Sequence, residues 1–223
     1  MKVGLIYTGT TPELEELVER EVRNNLGDAV DMLSLHDGTI IGDVGKAGYV
    51  TAKPAARLVG MYMKAVEEDC DAILNLCSSV GEVADAAQDM AKYLGVPIVR
   101  VDEEMCREAV RRGGRIGVMA TLPTTLIPTK NTINRVAREM GRHVETVDCL
   151  VEGAFGLDQE QFRTRLTESA KTIADKVDLF VLAQGSMAYA EPHLEAVFGK
   201  PFLGSPRFGA KELKKALEVK GII

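Results

Sequence analysis

Short runs rich in Val, Ile and Leu recur along the chain: KVGLIY (2–7), AVDMLSL (29–35), AILNL (72–76), PIVRV (97–101), RIGVMA (115–120), HVETVDCL (143–150), LFVLA (179–183) and PFLG (201–204). Such runs read as buried parallel strands. Between them, ELEELVEREVRNN (13–25), PAARLVGMYMKAVEE (54–68), EVADAAQDMAKYL (82–94), TTLIPTKNTINRVAREM (124–140) and QEQFRTRLTESAKTIADK (159–176) repeat apolar positions at helical spacing. In the fourth, regular helix is expected only after Pro128. Strand and helix alternate throughout, so the expected class is α/β, with parallel sheets flanked by helices. The Gly-rich stretch HDGTIIGDVGKAGYVTAK (36–53) reads as a long connection of the kind that forms lids.

The pattern occurs twice. KVGLIYTGTTP aligns with RIGVMATLPTT, putting Thr8 over Thr121. DAILNLCSS aligns with DLFVLAQGS, putting Cys77 over Gln184, and LGVPIV with FGKPFL, putting Pro97 over Pro201. Three matches in one order predict two pseudo-symmetric α/β lobes, residues 1–97 with 205–223 and residues 98–204. Ligands of open α/β sheets collect beyond the carboxyl ends of strands. Thr8, Cys77, Thr121 and Gln184 all fall there, so an active-site crevice between the lobes is expected.

Composition narrows the partners. At 223 residues and 46% hydrophobic the chain can bury a sizeable core. With 27 basic against 33 acidic residues, a net charge of −6, it carries no electrostatic footprint for nucleic acid. MKVGLIYTGT holds too short an apolar run for a signal segment, and no stretch approaches ~20 continuous apolar residues, so a cytoplasmic protein without membrane contact is expected. Cys70, Cys77, Cys106 and Cys149 form no CxxC pair, which predicts reduced thiols and no metal site. YTGTTP lacks the GxGxxG order and no Gly-Lys-Ser/Thr phosphate loop occurs, so no cofactor is expected. The sequence does not encode the oligomeric state and leaves a homo-oligomer open.

The chemistry concentrates at Cys77. Ser79 with Glu82 has capping-box spacing, which predicts a helix starting just after the cysteine. A thiol at a helix start is favoured as thiolate. Cys70, Cys106 and Cys149 read as structural; Cys106 lies in the polar stretch EEMCREAV. Ser78, Ser79, Gly185 and Ser186 offer hydroxyls and N–H groups suited to a small anion, although turn and cap duty alone would explain them. Thr121, Thr124 and Thr125 add hydroxyls at one strand end, and Thr8, Gly9 and Thr10 at another. His193, nine residues past Gln184 on an expected helix, is placed within reach of the crevice or in solvent.

These motifs resemble the aspartate/glutamate/hydantoin racemase superfamily. Cys77-Ser78-Ser79 is similar to its first-lobe cysteine motif, and GVMATLPTT to its Thr-bearing carboxylate-binding strand end. LAQGSMA resembles its Leu-Gly-Cys-Ala-Gly-Met-Ala segment, which puts Gln184 where the second cysteine belongs. The resemblance implies an enzyme without pyridoxal phosphate, acting on a small carboxylate or cyclic amide through Cys77, with Gln184 as its catalytic counterpart. An amide does not exchange protons near neutral pH, so a symmetric two-thiol racemase is disfavoured. One thiol suffices for a covalent isomerase or for a decarboxylase of the arylmalonate type. A non-catalytic small-anion binding protein is the reading from outside the enzymes.

Overall fold

The computed structural model describes residues 1–154 and 157–223. Their elements run β1 (Lys2–Tyr7), α1 (Pro12–Leu26), β2 (Asp31–His36), α2 (Gly38–Ala47), α3 (Ala52–Glu67), β3 (Ala72–Asn75), α4 (Gly81–Ala86), α5 (Gln88–Leu94), β4 (Ile98–Arg100), α6 (Glu103–Arg112) and β5 (Arg115–Ala120). They continue with α7 (Pro123–Glu139), β6 (Glu145–Leu150), α8 (Gln159–Lys171), β7 (Leu179–Leu182), α9 (Glu191–Phe198), β8 (Phe202–Gly204) and α10 (Ser205–Lys220). The chain divides into two compact units, Met1–Val101 with Pro206–Ile223, and Asp102–Ser205. Because β4 pairs in parallel with β3, it belongs to the first unit.

Each unit is a four-stranded parallel sheet, ordered β2-β1-β3-β4 in the first and β6-β5-β7-β8 in the second. The sequence repeat has physical counterparts. Asp71 accepts a hydrogen bond from the Lys2 backbone N–H at 2.9 Å, and Asp178 from that of Arg115 at 2.8 Å. Each carboxylate therefore pins the start of its unit's first strand to the third. The Pro97 carbonyl accepts from Ile73 N, and the Pro201 carbonyl from Phe180 N, setting the register of the outer strand in the same way.

Helices cover both faces of the first sheet. Val3, Leu5, Tyr7, Leu74 and Val99 pack against Leu14, Val18 and Val22 of α1 and Leu213 and Leu217 of α10. Ile6, Ile73 and Ile98, on the opposite face as the period of two requires, pack against α2, α3, α4 and α5. In the second unit, α8 and α9 cover Met119, Cys149, Phe180, Leu182 and Phe202. Helices α6 and α7 pack together and lie against β5 and β7.

Several local expectations are corrected. Residues 36–53 are no open connection: Asp37 caps α2 by accepting from Thr39 N at 3.0 Å, and Ile40 and Val44 are buried. EEMCREAV lies in α6, with Met105, Cys106, Ala109 and Val110 turned inward. Helix α7 begins at Pro123 and runs on through Pro128 rather than starting after it. The segment 82–94 is two short helices preceded by a 3-10 turn at Ser78–Val80, and the cap position of α4 is Val80, without a side-chain cap bond. The cap position of that helix thus falls one residue after the Ser79 that the spacing points to. No described helix is long and apolar enough to cross a membrane.

Candidate active site

The topology of each unit selects one place for a ligand. After β1 the chain crosses through α1 to β2 on one side; after β3 it crosses through α4 and α5 to β4 on the other, over the opposite face. The carboxyl ends of β1 and β3 thus flank a topological switch point, where crossing connections leave a crevice. Thr8, Gly9 and Thr10 follow β1 and Cys77, Ser78 and Ser79 follow β3, so the structure brings these six to one sheet edge. In the second unit β5 and β7 occupy the same places, bringing together Thr121, Gln184, Gly185 and Ser186.

Cys77 leaves the strand in an extended conformation, φ −136° and ψ 113°, and its side chain is half-buried. Asn75, the last residue of β3 and only 1% exposed, holds this turn. Its Nδ2 donates to the Cys77 carbonyl at 3.1 Å, and its Oδ1 accepts from the Tyr62 hydroxyl at 3.1 Å. Burial keeps the Tyr62 phenol far above its ordinary titration range, so it remains a donor and fixes which way the amide faces. Ser78 and Ser79 are buried, whereas Gly9 and Thr10 are exposed. Thr8 is wholly buried, and its hydroxyl has no hydrogen-bond partner among the described residues.

Gln184 differs in kind from its counterpart. Its Nε2 donates to Thr121 Oγ1 at 2.6 Å, and its Oε1 accepts from the Thr121 N–H at 3.1 Å. The amide is a clasp between the ends of β5 and β7, and it supplies no titratable proton. Gly185 and Ser186 lie in a 3-10 helix that leads into α9. Thr124 and Thr125 fall in the first turn of α7, where Thr125 is buried. His193 is on α9 but bonds Thr167 Oγ1 at 3.2 Å, so it is engaged with α8.

The remaining thiols are poorly placed for chemistry. Cys70, Cys106 and Cys149 are buried, and burial alone pushes the Cys149 thiol up to about 11. A thiolate is the reacting form. Brief iodoacetamide treatment of the folded protein near pH 7.5, read by peptide mass spectrometry, is therefore expected to label Cys77 and spare the other three. Preferential labelling of any of the three would contradict the placement.

Two recesses are lined by other residues. One, about 590 Å³, is bordered by Val59 of α3 and by Val83, Ala87 and Met90. The other, about 340 Å³, is lined by Arg111, Arg112, Arg142 and His143, but these arginines have local partners. Arg142 donates to the Val110 and Arg111 carbonyls at the end of α6, and Arg111 and Arg112 pair with Glu108. Among the described residues no three His, Cys, Asp or Glu side chains converge as metal ligands.

The chain is thus an α/β protein of two open parallel units with the same strand order, the first carrying a cysteine at its switch point. The chain belongs to the Asp/Glu/hydantoin racemase family, whose model matches residues 3–213, and it is an enzyme of the isomerase class. Glutamate racemase from Bacillus anthracis is similar in structure, with a TM-score of 0.72 at 17% identity over 99% of this chain and 82% of that one. Allantoin racemase from Klebsiella pneumoniae gives 0.65 at 18% over 99% and 89%, and unliganded arylmalonate decarboxylase 0.60 at 14% over 99% and 92%. At these identities the likeness is one of fold. No curated protein matches the chain by sequence.

Proposed function

We propose that the protein is a cofactor-independent isomerase of a small carboxylate or cyclic amide, with Cys77 as its single acid/base or nucleophile. The observation that carries this reading is the contrast between the two strand ends. One presents a half-buried thiol on an anchored turn, and the other an amide bonded at both ends to Thr121. In the covalent form of the reaction, the Cys77 thiolate adds to a carbon–carbon double bond conjugated to a carboxylate. The C–S bond forms as the π electrons move into an enolate; after rotation the enolate expels the thiolate and the double bond returns. Thr8, with an uncommitted hydroxyl at the strand end beside that of Cys77, is suited to holding the carboxylate.

A second reading is favoured by the absence of a thiol at position 184 and by the likeness to arylmalonate decarboxylase. There a substrate C–C bond breaks and carbon dioxide departs, leaving the electron pair on Cα. The Cys77 S–H then protonates Cα on one face, and the thiolate recovers a proton from water.

Turnover in heavy water over a panel of amino acids, 5-substituted hydantoins, unsaturated dicarboxylates and arylmalonates separates the readings. Covalent isomerisation introduces no deuterium, decarboxylation introduces one at Cα, and racemisation introduces one with loss of optical rotation. A wild-type protein that binds carboxylates but converts none of the panel would replace this proposal with a small-anion binding protein.

A further inference from the structure

Strand β4 carries an unusual residue for a buried outer strand. Arg100 is its last residue, and its side chain is 4% exposed. A buried guanidinium is costly, and an apolar replacement of similar volume is often as stable or more so, so its presence calls for another reason than stability. Arg100 is the register partner of Asn75, the residue that holds the Cys77 carbonyl. A Cβ on Gly81 would overlap the guanidinium, so glycine at the start of α4 lets the charge lie directly against the chain leaving the Cys77 turn.

We propose that Arg100 is a positioning residue for Cys77, supplying from beneath the turn the fixed positive charge that holds its sulfur as thiolate, and that Asp85 sets how much of that charge the sulfur feels. The inference rests on the reading of Cys77 as the reacting group. Arg100 Nη1 donates to Asp85 Oδ2 at 2.6 Å, but the two charges are unequally screened, since the Asp85 side chain is 38% exposed. Water weakens the field of the exposed carboxylate more than that of the buried guanidinium, leaving a net positive potential on the buried side. The ionisable groups on the elements next to the turn include Tyr62 from α3, Arg100 from β4, the buried Asp102 two residues beyond it, and Asp85 from α4; Glu82 of α4 is solvent-exposed. The Tyr62 phenol reports their closeness: after burial, Cys77 raises its titration while Arg100 lowers it.

The test is the pH dependence of iodoacetamide labelling at Cys77, measured in the full-length protein by peptide mass spectrometry. Arg100→Met is expected to raise the midpoint by about one pH unit, which slows labelling at pH 7 about tenfold. Asp85→Asn, on the exposed side of the pair, is expected to move the midpoint down, and Arg100→Lys to retain most of the wild-type value. Shifts of opposite sign support the charge role, because loosened packing would move both variants the same way. Unmoved midpoints, or two shifts of one sign, overturn it. If Arg100→Met fails to fold by circular dichroism, Asp85→Asn and Arg100→Lys decide between the same outcomes. A wild-type midpoint near an ordinary thiol's ~8.5 would instead sink the poised-thiol reading itself, so the two failures are distinguishable.

Discussion

Replacing Cys77 by serine is expected to reduce turnover by about 10²- to 10⁴-fold, the usual contribution of a positioned acid/base group. Serine keeps the size and hydrogen-bonding capacity of the side chain, but its hydroxyl ionises far too weakly to act as an anion near neutral pH. Because the Asn75 bond goes to the backbone carbonyl, the turn itself is expected to survive the substitution. Binding of a carboxylate inhibitor should persist while kcat falls. Alanine at Cys70, Cys106 or Cys149 is expected to leave turnover near wild type, since these thiols pack in the interior. A Cys77→Ser protein with full activity on an identified substrate would remove the thiol from the mechanism.

Phe180→Ala is expected to destabilise the second unit by about 3–5 kcal/mol, the range for deleting a buried aromatic side chain. The Phe180 ring stacks on Phe202 with centroids 4.4 Å apart and planes 6° apart, and Phe198 closes the cluster. Gly117 on the neighbouring strand leaves room for the ring, with a Cβ there falling 2.8 Å from Phe180. Since no polar group fills the space, the cavity would stay dry and the loss of contacts uncompensated. Urea unfolding followed by circular dichroism should show a lower midpoint; an unchanged midpoint would mean that the cluster relaxes to close the gap.

The sheets were legible because parallel strands buried on both faces must be apolar along their length, as in KVGLIY and RIGVMA. The pins at Asp71 and Asp178 stood in the aligned segments, one residue before the third strand of each unit. Helix α2 was hidden by Gly38, Gly42 and Gly45, which mimic a loop although Ile40 and Val44 sit one turn apart. Helix α6 was hidden by its Glu and Arg residues, among which only Met105, Cys106, Ala109 and Val110 mark a buried stripe. At the site, Cys77 was visible as a polarity change at a strand end. Asn75 and Arg100 were not, because one polar residue in an apolar run looks like noise until the neighbouring strand is in register. The bond between Gln184 and Thr121 depends on side-chain conformation, which residue spacing does not encode.

The outer strands also bear on how the protein behaves at high concentration. Open sheets leave unpaired backbone groups at their margins, and such margins can recruit strands from other molecules. Here β4 and β8 span only three residues each, and each follows directly on a proline-containing lead, Val96-Pro97 and Lys200-Pro201, whose proline has no N–H to donate. The six-residue margins β2 and β6 carry Asp31, Glu145 and Asp148, charges that an incoming strand would have to bury. The same chain that packs its sheets so fully on their faces thereby offers little for another molecule to zip onto at their sides, a safeguard against aggregation written into its shortest strands.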